Sequence, residues 1–453
     1  MTETGAPTDT EREAGREAIR DTRPDEPAAT GIACAGMDLA DDAAHWLPAR
    51  RDHTRSRVLV SLHGEVLGYL EFALAPHEVT AALVRQEATR TFAPRIATHL
   101  RLEGRRASPG ADQVIAPAGP LCPRRWTGGP LPSLTIAVCT RDRADILESC
   151  LRHVMATPDP EVEILVIDNA PSDERTADLV TSLQAIDPRL RYHREDRPGL
   201  SSARNAALAH ASGEVLAFTD DDVSVDSGWA SALQQAAATG AGCVTGLVAT
   251  ASVDSPAEAY FDARSPSWSA RCEPETFDLA QNRRAGALYP FSAGIFGTGA
   301  NMAVRTRLVQ ELGGFDEALG AGTRTRGGED LDMFVRILLA GERIVYEPSA
   351  LVWHHHRADD AALLRQLRGY GSGLTAYLTG TLLSPGSRAA LLRAIGPGLW
   401  RMRQIDRTTR ERMSAGIAPP PGVRRAELAG ALRGPWDYLR ARRRARASRP
   451  ADA

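Results

Sequence analysis

Val215-Leu216-Ala217-Phe218-Thr219-Asp220-Asp221-Asp222 is the stretch on which the fold turns. An apolar run too short for a helix breaks directly into three carboxylates, which reads as a buried strand ending in a polar loop. Reading outward from it, the same pattern recurs. Leu134-Thr135-Ile136-Ala137-Val138 is a second short apolar run, followed by helical spacing through Ile146, Leu147, Leu151 and Val154. Then come a strand over Glu163–Ile167, a helix over 173–185, a short strand over 190–193 and a helix over 201–211 that leads back to Val215. This βαβαβαβ series predicts an α/β fold, a mostly parallel sheet with helices on both faces. In such sheets ligands bind at the carboxyl ends of the strands, so the loops after Val138, Ile167 and Thr219 are where chemistry is expected.

The flanking regions differ in character. Residues 1–30 are acidic and polar and read as a disordered tail. Residues 31–115 carry a hairpin, Val58–Leu62 and Val66–Leu70 about a His63-Gly64 turn, and a helix from His77 to Leu102 broken at Pro94, which together make a small α+β module. A Pro/Gly-rich linker, 116–132, precedes the main domain at 133–357. A helical, Arg-rich region follows at 358–447, with a disordered tail at 448–453. The 453 residues carry 54 basic and 57 acidic side chains, a formal net charge of −3. That near-neutrality conceals a tail from Ser387 onward with 16 Arg and 5 acidic residues, or +11, against −14 for the rest. Every basic residue is Arg, which excludes a lysine Schiff base or a P-loop lysine. Six scattered Cys without a C-x-x-C pair argue against a disulfide framework or zinc ribbon and for a reducing compartment. No signal-peptide core and no run of about twenty apolar residues is present.

Each strand-end loop has a plain reading and a chemical one. Asp142 and Asp168 at strand-to-helix turns are commonly caps. Asp220, Asp221 and Asp222 repel one another unless solvent or a cation intervenes, and Asp220 and Asp222 alternate onto one side. Mg2+ or Mn2+ takes such carboxylates together with phosphate oxygens; the alternative is a solvated acidic turn. Gly327-Gly328-Glu329-Asp330 opens an amphipathic helix with Leu331, Phe334, Val335 and Leu338 inward. Its acids either complement the helix dipole or serve a ligand that the glycines admit closely. Asp332 and Arg336 read as a surface i,i+4 pair. Gly297-Thr298-Gly299-Ala300-Asn301 offers tight backbone and a polar side chain. Trp353-His354-His355-His356 follows an expected edge strand and offers imidazoles, structural or metal-ligating.

Seven segments now stand in order: Thr140-Arg141-Asp142-Arg143, Val166-Ile167-Asp168-Asn169-Ala170-Pro171, Gly199-Leu200-Ser201-Ser202-Ala203-Arg204-Asn205, Phe218-Thr219-Asp220-Asp221-Asp222, Gly299-Ala300-Asn301-Met302-Ala303, Gly327-Gly328-Glu329-Asp330-Leu331-Asp332 and Trp353-His354-His355-His356. Over about Leu134–Arg357 the sequence resembles an inverting glycosyltransferase of family 2, of the bacterial cell-wall or glycan type. The resemblance implies a GT-A fold: a Rossmann-like mixed sheet, here with an extra N-terminal module and a helical C-terminal region. It implies that Thr140, Arg141 and Arg143 border the nucleotide and that Asp168 and Asn169 contact base or ribose. Arg204 would lie near the nucleotide. Asp220, Asp221 and Asp222 would form the DxD element, with Asp220 and Asp222 on the metal. Gly299, Asn301 and Gly328 would shape the donor and acceptor pocket. Asp330 would be the catalytic base with Glu329 beside it, and His354 or His356 a further metal or diphosphate ligand. Asn169 departs from the pattern, since many members carry a second Asp there, and the pattern does not explain the N-terminal module.

The implied reaction moves a sugar from a UDP- or dTDP-linked donor, with Mg2+ or Mn2+, to a hydroxyl acceptor: a glycan, a lipid-linked molecule or a small molecule. The rivals are a catalytically silent sugar-nucleotide or glycan-binding module, and a sugar nucleotidyltransferase. The latter is disfavoured by the Thr-Arg-Asp-Arg loop and the missing lysine. The expected location is cytoplasmic. Leu391, Leu392, Ile395, Leu399 and Trp400 beside Arg393, Arg401 and Arg403 fit an interfacial helix, which would bring the enzyme to the anionic inner face of the cell membrane. The plainer alternative is a solvated helical pair covering the main domain. Nucleic acid is not an expected partner, because few aromatics interleave the Arg442-Arg443-Arg444 run.

Overall fold

The computed structural model describes residues 31–48, 53–105, 117–286 apart from 120, 121, 123, 125 and 127, 288–393 apart from 293, and 419–447. Both terminal tails and residues 394–418, including Ile395, Leu399, Trp400, Arg401 and Arg403, lie outside the described residues.

The N-terminal module comprises β1 (Ile32–Asp38), β2 (His45–Trp46), β3 (Ser56–Leu62), β4 (Glu65–Phe72), α1 (Ala81–Thr91) and α2 (Ala93–Leu102). The expected hairpin is β3–β4, and the expected helix breaks at Phe92, so that Pro94 sits in the first turn of α2, where its missing N–H costs nothing. The sequence reading missed β1, which pairs parallel to β3 and antiparallel to β11 (Ser252–Val253) of the main domain.

The main domain runs β5 (Leu134–Thr140), α3 (Ala144–Met155), β6 (Glu163–Asn169), α4 (Arg175–Gln184), β7 (Leu190–Glu195), α5 (Leu200–His210), β8 (Val215–Asp220), β9 (Val223–Val225), α6 (Trp229–Ala238) and β10 (Cys243–Thr250). After β11 come α7 (Pro256–Arg264), β12 (Glu275–Phe277), β13 (Asn301–Arg305), α9 (Thr306–Glu311) after the short α8 (Pro266–Ser269), α10 (Glu329–Leu339) and β14 (Ile344–His354). Sheet order is β12-β14-β10-β13-β8-β5-β6-β7, with β9 also on β14. The block β8-β5-β6-β7 is parallel as expected, while β13 enters antiparallel between β8 and β10. Because strand side chains alternate, Ile136, Val138, Ile164 and Val166 feed one core, and Ala137, Leu165, Ile167, Leu216 and Phe218 feed the other. That two-sided burial is why these strands read as continuous apolar runs.

Two expectations are corrected. β14 is not an edge strand: β10 lies on one side, and β12 and β9 on the other. Asp332 and Arg336 pair at 3.3 Å but are largely buried, with side-chain exposures of 14% and 28%.

The module is fused to the sheet. Cys34, Leu59 and Val66 share a core with Leu247, Ala249, Leu351 and Trp353 of β10 and β14. On the C-terminal side, α11 (Asp360–Leu383) and α12 (Val423–Ala447) pack through small residues. A Cβ on Gly430 would stand 2.0 Å from the carbonyl oxygen of Arg368, and one on Gly371 would stand 2.2 Å from that of Glu427. Among the described residues, no helix is long and apolar enough to cross a membrane.

Candidate active site

The loops after β5, β6 and β8 meet at the carboxyl ends of the parallel strands. Asp142, at φ 54°, accepts from the backbone N–H (2.7 Å) and hydroxyl (2.9 Å) of Ser172, so it ties two loops together. Asp168 is fully buried and accepts from the Tyr192 hydroxyl at 2.9 Å. Its Oδ1 has no hydrogen-bond partner among the described residues, and burial pushes its carboxyl up. Asn169 accepts from Gly199 N–H and donates to the Arg197 carbonyl, both at 2.8 Å. Both ends of its side chain therefore hold the loop that starts α5.

The three aspartates occupy different states. Asp221 faces inward, accepting from Thr140 Oγ1 at 2.7 Å and from Arg143 at 2.5 Å, yet burial pushes it up to about 6. Asp220 is pushed up by burial and by the charge of Asp222. Burial also opposes ionisation of Asp222, but the hydrogen bond and charge of His354 and the Arg143 guanidinium hold it below the usual carboxylate range. Asp222 stands 3.0 Å from Arg143 and 3.5 Å from both His354 Nε2 and Arg357.

A hydrogen-bonded chain explains how that histidine is presented. Arg57 of the module donates to Asp262 Oδ2 at 2.9 Å, and Thr250 donates to Asp262 Oδ1 at 2.5 Å. The Thr250 hydroxyl, its proton spent, accepts from His356 Nε2 at 2.9 Å. Burial and then His354 push His356 down to about 3, so it is neutral with a bare Nδ1. That nitrogen lies 3.2 Å from His354 Nδ1 and accepts its proton. The other ring nitrogen of His354, Nε2, faces Asp222 Oδ1 at 3.5 Å. Carboxylate and imidazole are both ligands of divalent cations, so the juxtaposition of Asp220, Asp222 and His354 fits such an ion. His356, expected as a possible ligand, is buried behind His354 and packs against Phe261 with the rings tilted, their centres 4.7 Å apart.

The start of α10 separates its two acids. Arg204 is buried between Phe218 and Phe315, 5.5 and 5.6 Å from their ring centres. It donates to Glu329 at 3.0 Å and to the Gly299 carbonyl at 3.1 Å. Arg204 therefore braces the site from behind, rather than lining the nucleotide cavity, and Glu329 is its buried counter-ion. Asp330 is held differently: Gly299 N–H donates to one oxygen at 3.0 Å and Leu331 N–H to the other at 2.8 Å. Gly328 supports this turn at φ 94°, where a Cβ would meet the Gly373 carbonyl oxygen at 2.5 Å. Asn301, expected in the pocket, is fully buried. It accepts from Trp229 Nε1 at 2.8 Å and donates to the carbonyls of Leu247 (3.0 Å) and Ala350 (2.7 Å), so it locks strands together.

A cavity of about 330 Å³ collects Thr140, Arg141, Arg143, Asn169, Asp220, Asp221, Asp222 and His354. Thr298 and Ala300, which flank Gly299, reach the same wall. The sequence reading missed Phe261, Trp268, Arg357, Gln366 and Tyr370, which also line it. Only Arg357, directly after the histidines, carried a positional signal. A second cavity, of about 600 Å³, adjoins the first at Gly322 and is lined by Arg197, Arg324, Arg326, Arg368, Arg433 and Arg444.

Residues 135–313 match the family model "Glycosyl transferase family 2". The succinoglycan biosynthesis protein ExoM of Rhizobium meliloti is 30% identical over 252 residues, spanning 53% of this chain and 73% of that protein. The chain belongs to glycosyl transferase family 2. The pre-mycofactocin glycosyltransferase of Mycobacterium tuberculosis is 27% identical over 293 residues; the match covers 62% of this chain but 57% of that protein. A solved mannosyltransferase from Pyrobaculum calidifontis, in complex with GDP-Man and Mn2+, aligns at TM-score 0.47 and 18% identity over 79% of this chain and 99% of that one. The mixed sheet flanked by helices is the GT-A architecture expected for the family.

Burial, and then the charge of Asp330, push Glu329 up from 4.5 to about 7, against the pull of Arg204. The folded state thus holds this proton more tightly than the unfolded chain. Its contribution to stability is complete below pH 4.5 and is lost as pH rises to about 7. Thermal melts from pH 4.5 to 8 should show a steeper decline for wild type than for Glu329→Gln. Parallel profiles would remove Glu329 as the titrating group.

Proposed function

We propose that the protein is a metal-dependent, inverting glycosyltransferase that moves a sugar from a UDP- or dTDP-linked donor to a hydroxyl acceptor. The observation that carries this reading is His354 Nε2 standing 3.5 Å from Asp222, beside Asp220, on the cavity wall. Asp220, Asp222 and His354 would hold Mg2+ or Mn2+, whose Lewis acidity offsets charge building on the diphosphate, an effect worth several kcal/mol.

The chain's own residues supply the rest. Thr140 and Arg143 hold Asp221 inward and so set the aspartate loop. Asp168 Oδ1, buried and unpartnered, is an acceptor for a base or ribose donor. Arg141 borders the nucleotide. Asp330, fixed by two backbone N–H groups, takes the acceptor hydroxyl proton. That oxygen attacks the anomeric carbon from the face opposite the diphosphate, the bond to the diphosphate breaks, and one displacement inverts the centre. Glu329 does not act as a second base, since it is committed to Arg204.

For the acceptor, an anionic, lipid-linked molecule fits the arginine-lined cavity. Among the described residues, no ion pair engages Arg324, Arg326 or Arg368. Leu391, expected on an interfacial helix, is buried against the main domain. Leu392 beside it is exposed (55%), and a longer exposed apolar stripe lies on α12: Leu428 (61%), Leu432 (74%), Trp436 (58%) and Leu439 (40%), with Arg440 over the Trp436 ring. A basic helix with such a stripe suits the surface of an anionic membrane.

Asp330→Asn should lower turnover of a nucleotide sugar by about 10²–10⁴-fold with donor binding preserved. Equal turnover in both proteins would remove Asp330 as base; donor binding without turnover in either would favour a silent binding module. Separately, the Leu432→Asp/Trp436→Asp double variant should lose retention on phosphatidylglycerol vesicles that wild type shows at low salt. Unchanged retention would refute membrane docking through α12.

A further inference from the structure

Far from the aspartate loop, the module gathers four side chains of another kind. His63, His99, Glu103 and Cys122 each turn one ligand atom inward, and all four atoms lie within 4.8 Å of one another. His63 Nδ1 is 3.1 Å from His99 Nε2 and 2.8 Å from Glu103 Oε1; His99 Nε2 is 3.5 Å from both Glu103 Oε1 and Cys122 Sγ. Around a tetrahedral zinc, with bonds of about 2.0–2.3 Å, neighbouring ligand atoms stand about 3.3–3.7 Å apart. The observed separations are close to that.

Two further observations aim these groups. His99 Nδ1 lies 2.7 Å from Glu65 Oε2, so its proton goes to that carboxylate and its Nε2 is a bare lone pair facing the cluster. A carboxylate behind a histidine is the arrangement that orients metal-bound imidazole. His63 occupies a left-handed backbone conformation, φ 51°, in the two-residue turn before Gly64. Non-glycine residues adopt it uncommonly, and here it accompanies a side chain only 1% exposed.

We propose that His63, His99, Glu103 and Cys122 form a structural Zn2+ site. Thiolate, imidazole and carboxylate are zinc ligands, and four protein ligands leave no open position for substrate. Binding releases the Cys122 thiol proton to solvent, and the 2+ charge is matched by one thiolate and one carboxylate. The ion clasps the tip of the β3–β4 hairpin, the end of α2 and the segment that leads into the main domain. Its ligands are spaced H-x35-H-x3-E-x18-C, which no C-x-x-C search detects.

The test uses the full chain, purified with a histidine-free tag from zinc-supplemented cells in excess Mg2+. Metal analysis should find about one zinc per chain, retained in Asp222→Asn and lost in Cys122→Ser and His99→Ala. Should those variants not fold, wild type grown with Co2+ must show the thiolate charge-transfer band and intense visible bands of a tetrahedral site. Only trace zinc in wild type, undiminished zinc in folded Cys122→Ser, or a cobalt protein without those bands would overturn the proposal.

Discussion

The Arg204–Glu329 ion pair is the interaction on which the rest of the site depends. A guanidinium buried between two aromatic rings requires a counter-charge, and removing one partner of such a pair costs about 3–5 kcal/mol. By also donating to the Gly299 carbonyl, Arg204 joins the start of α10 to the loop before β13. Gly299 must lack a Cβ, which would stand 2.6 Å from Arg204 Nη2. The same loop's N–H then fixes Asp330. Three motifs spread over a span of 125 residues thus become one unit, in which most members brace a few cavity-facing groups.

That division was only partly legible in the sequence. Residue type and order identified the family and the strand-end loops, because the apolar runs and the abrupt carboxylates are local signals. Direction was not legible. Glu329 and Asp330 are neighbours, but consecutive helical residues project about 100° apart, so one meets Arg204 and the other the loop. Asn301 looked like a ligand because buried amides and binding amides are the same residue type; only its completed hydrogen bonds show that it holds backbone. His354 and His356 diverge because β14 ends between them.

The N-terminal module was the least legible part. β1 is built from small residues, Ala33, Cys34, Ala35 and Gly36, with weak strand preference, and its partners lie far away in sequence. Those small residues are what allow it to approach: a Cβ on Gly36 would stand 3.3 Å from the Trp353 ring. Trp353 precedes His354, and Arg57 begins the chain of hydrogen bonds that reaches His354. The module is therefore joined to the chemistry through β14, by packing and by polar contacts, rather than appended to it. The aromatic wall of Phe261, Trp268 and Tyr370 was invisible for a related reason: it comes from segments without motif character.

The central claim is that Asp220, Asp222 and His354 hold a divalent cation for a nucleoside diphosphate. Calorimetric titration of the full chain with UDP and with dTDP, in Mn2+ and then in EDTA, tests it most directly. At least one of the two should bind in Mn2+, with affinity reduced by at least about tenfold in EDTA. Equal affinity with and without the cation would contradict it.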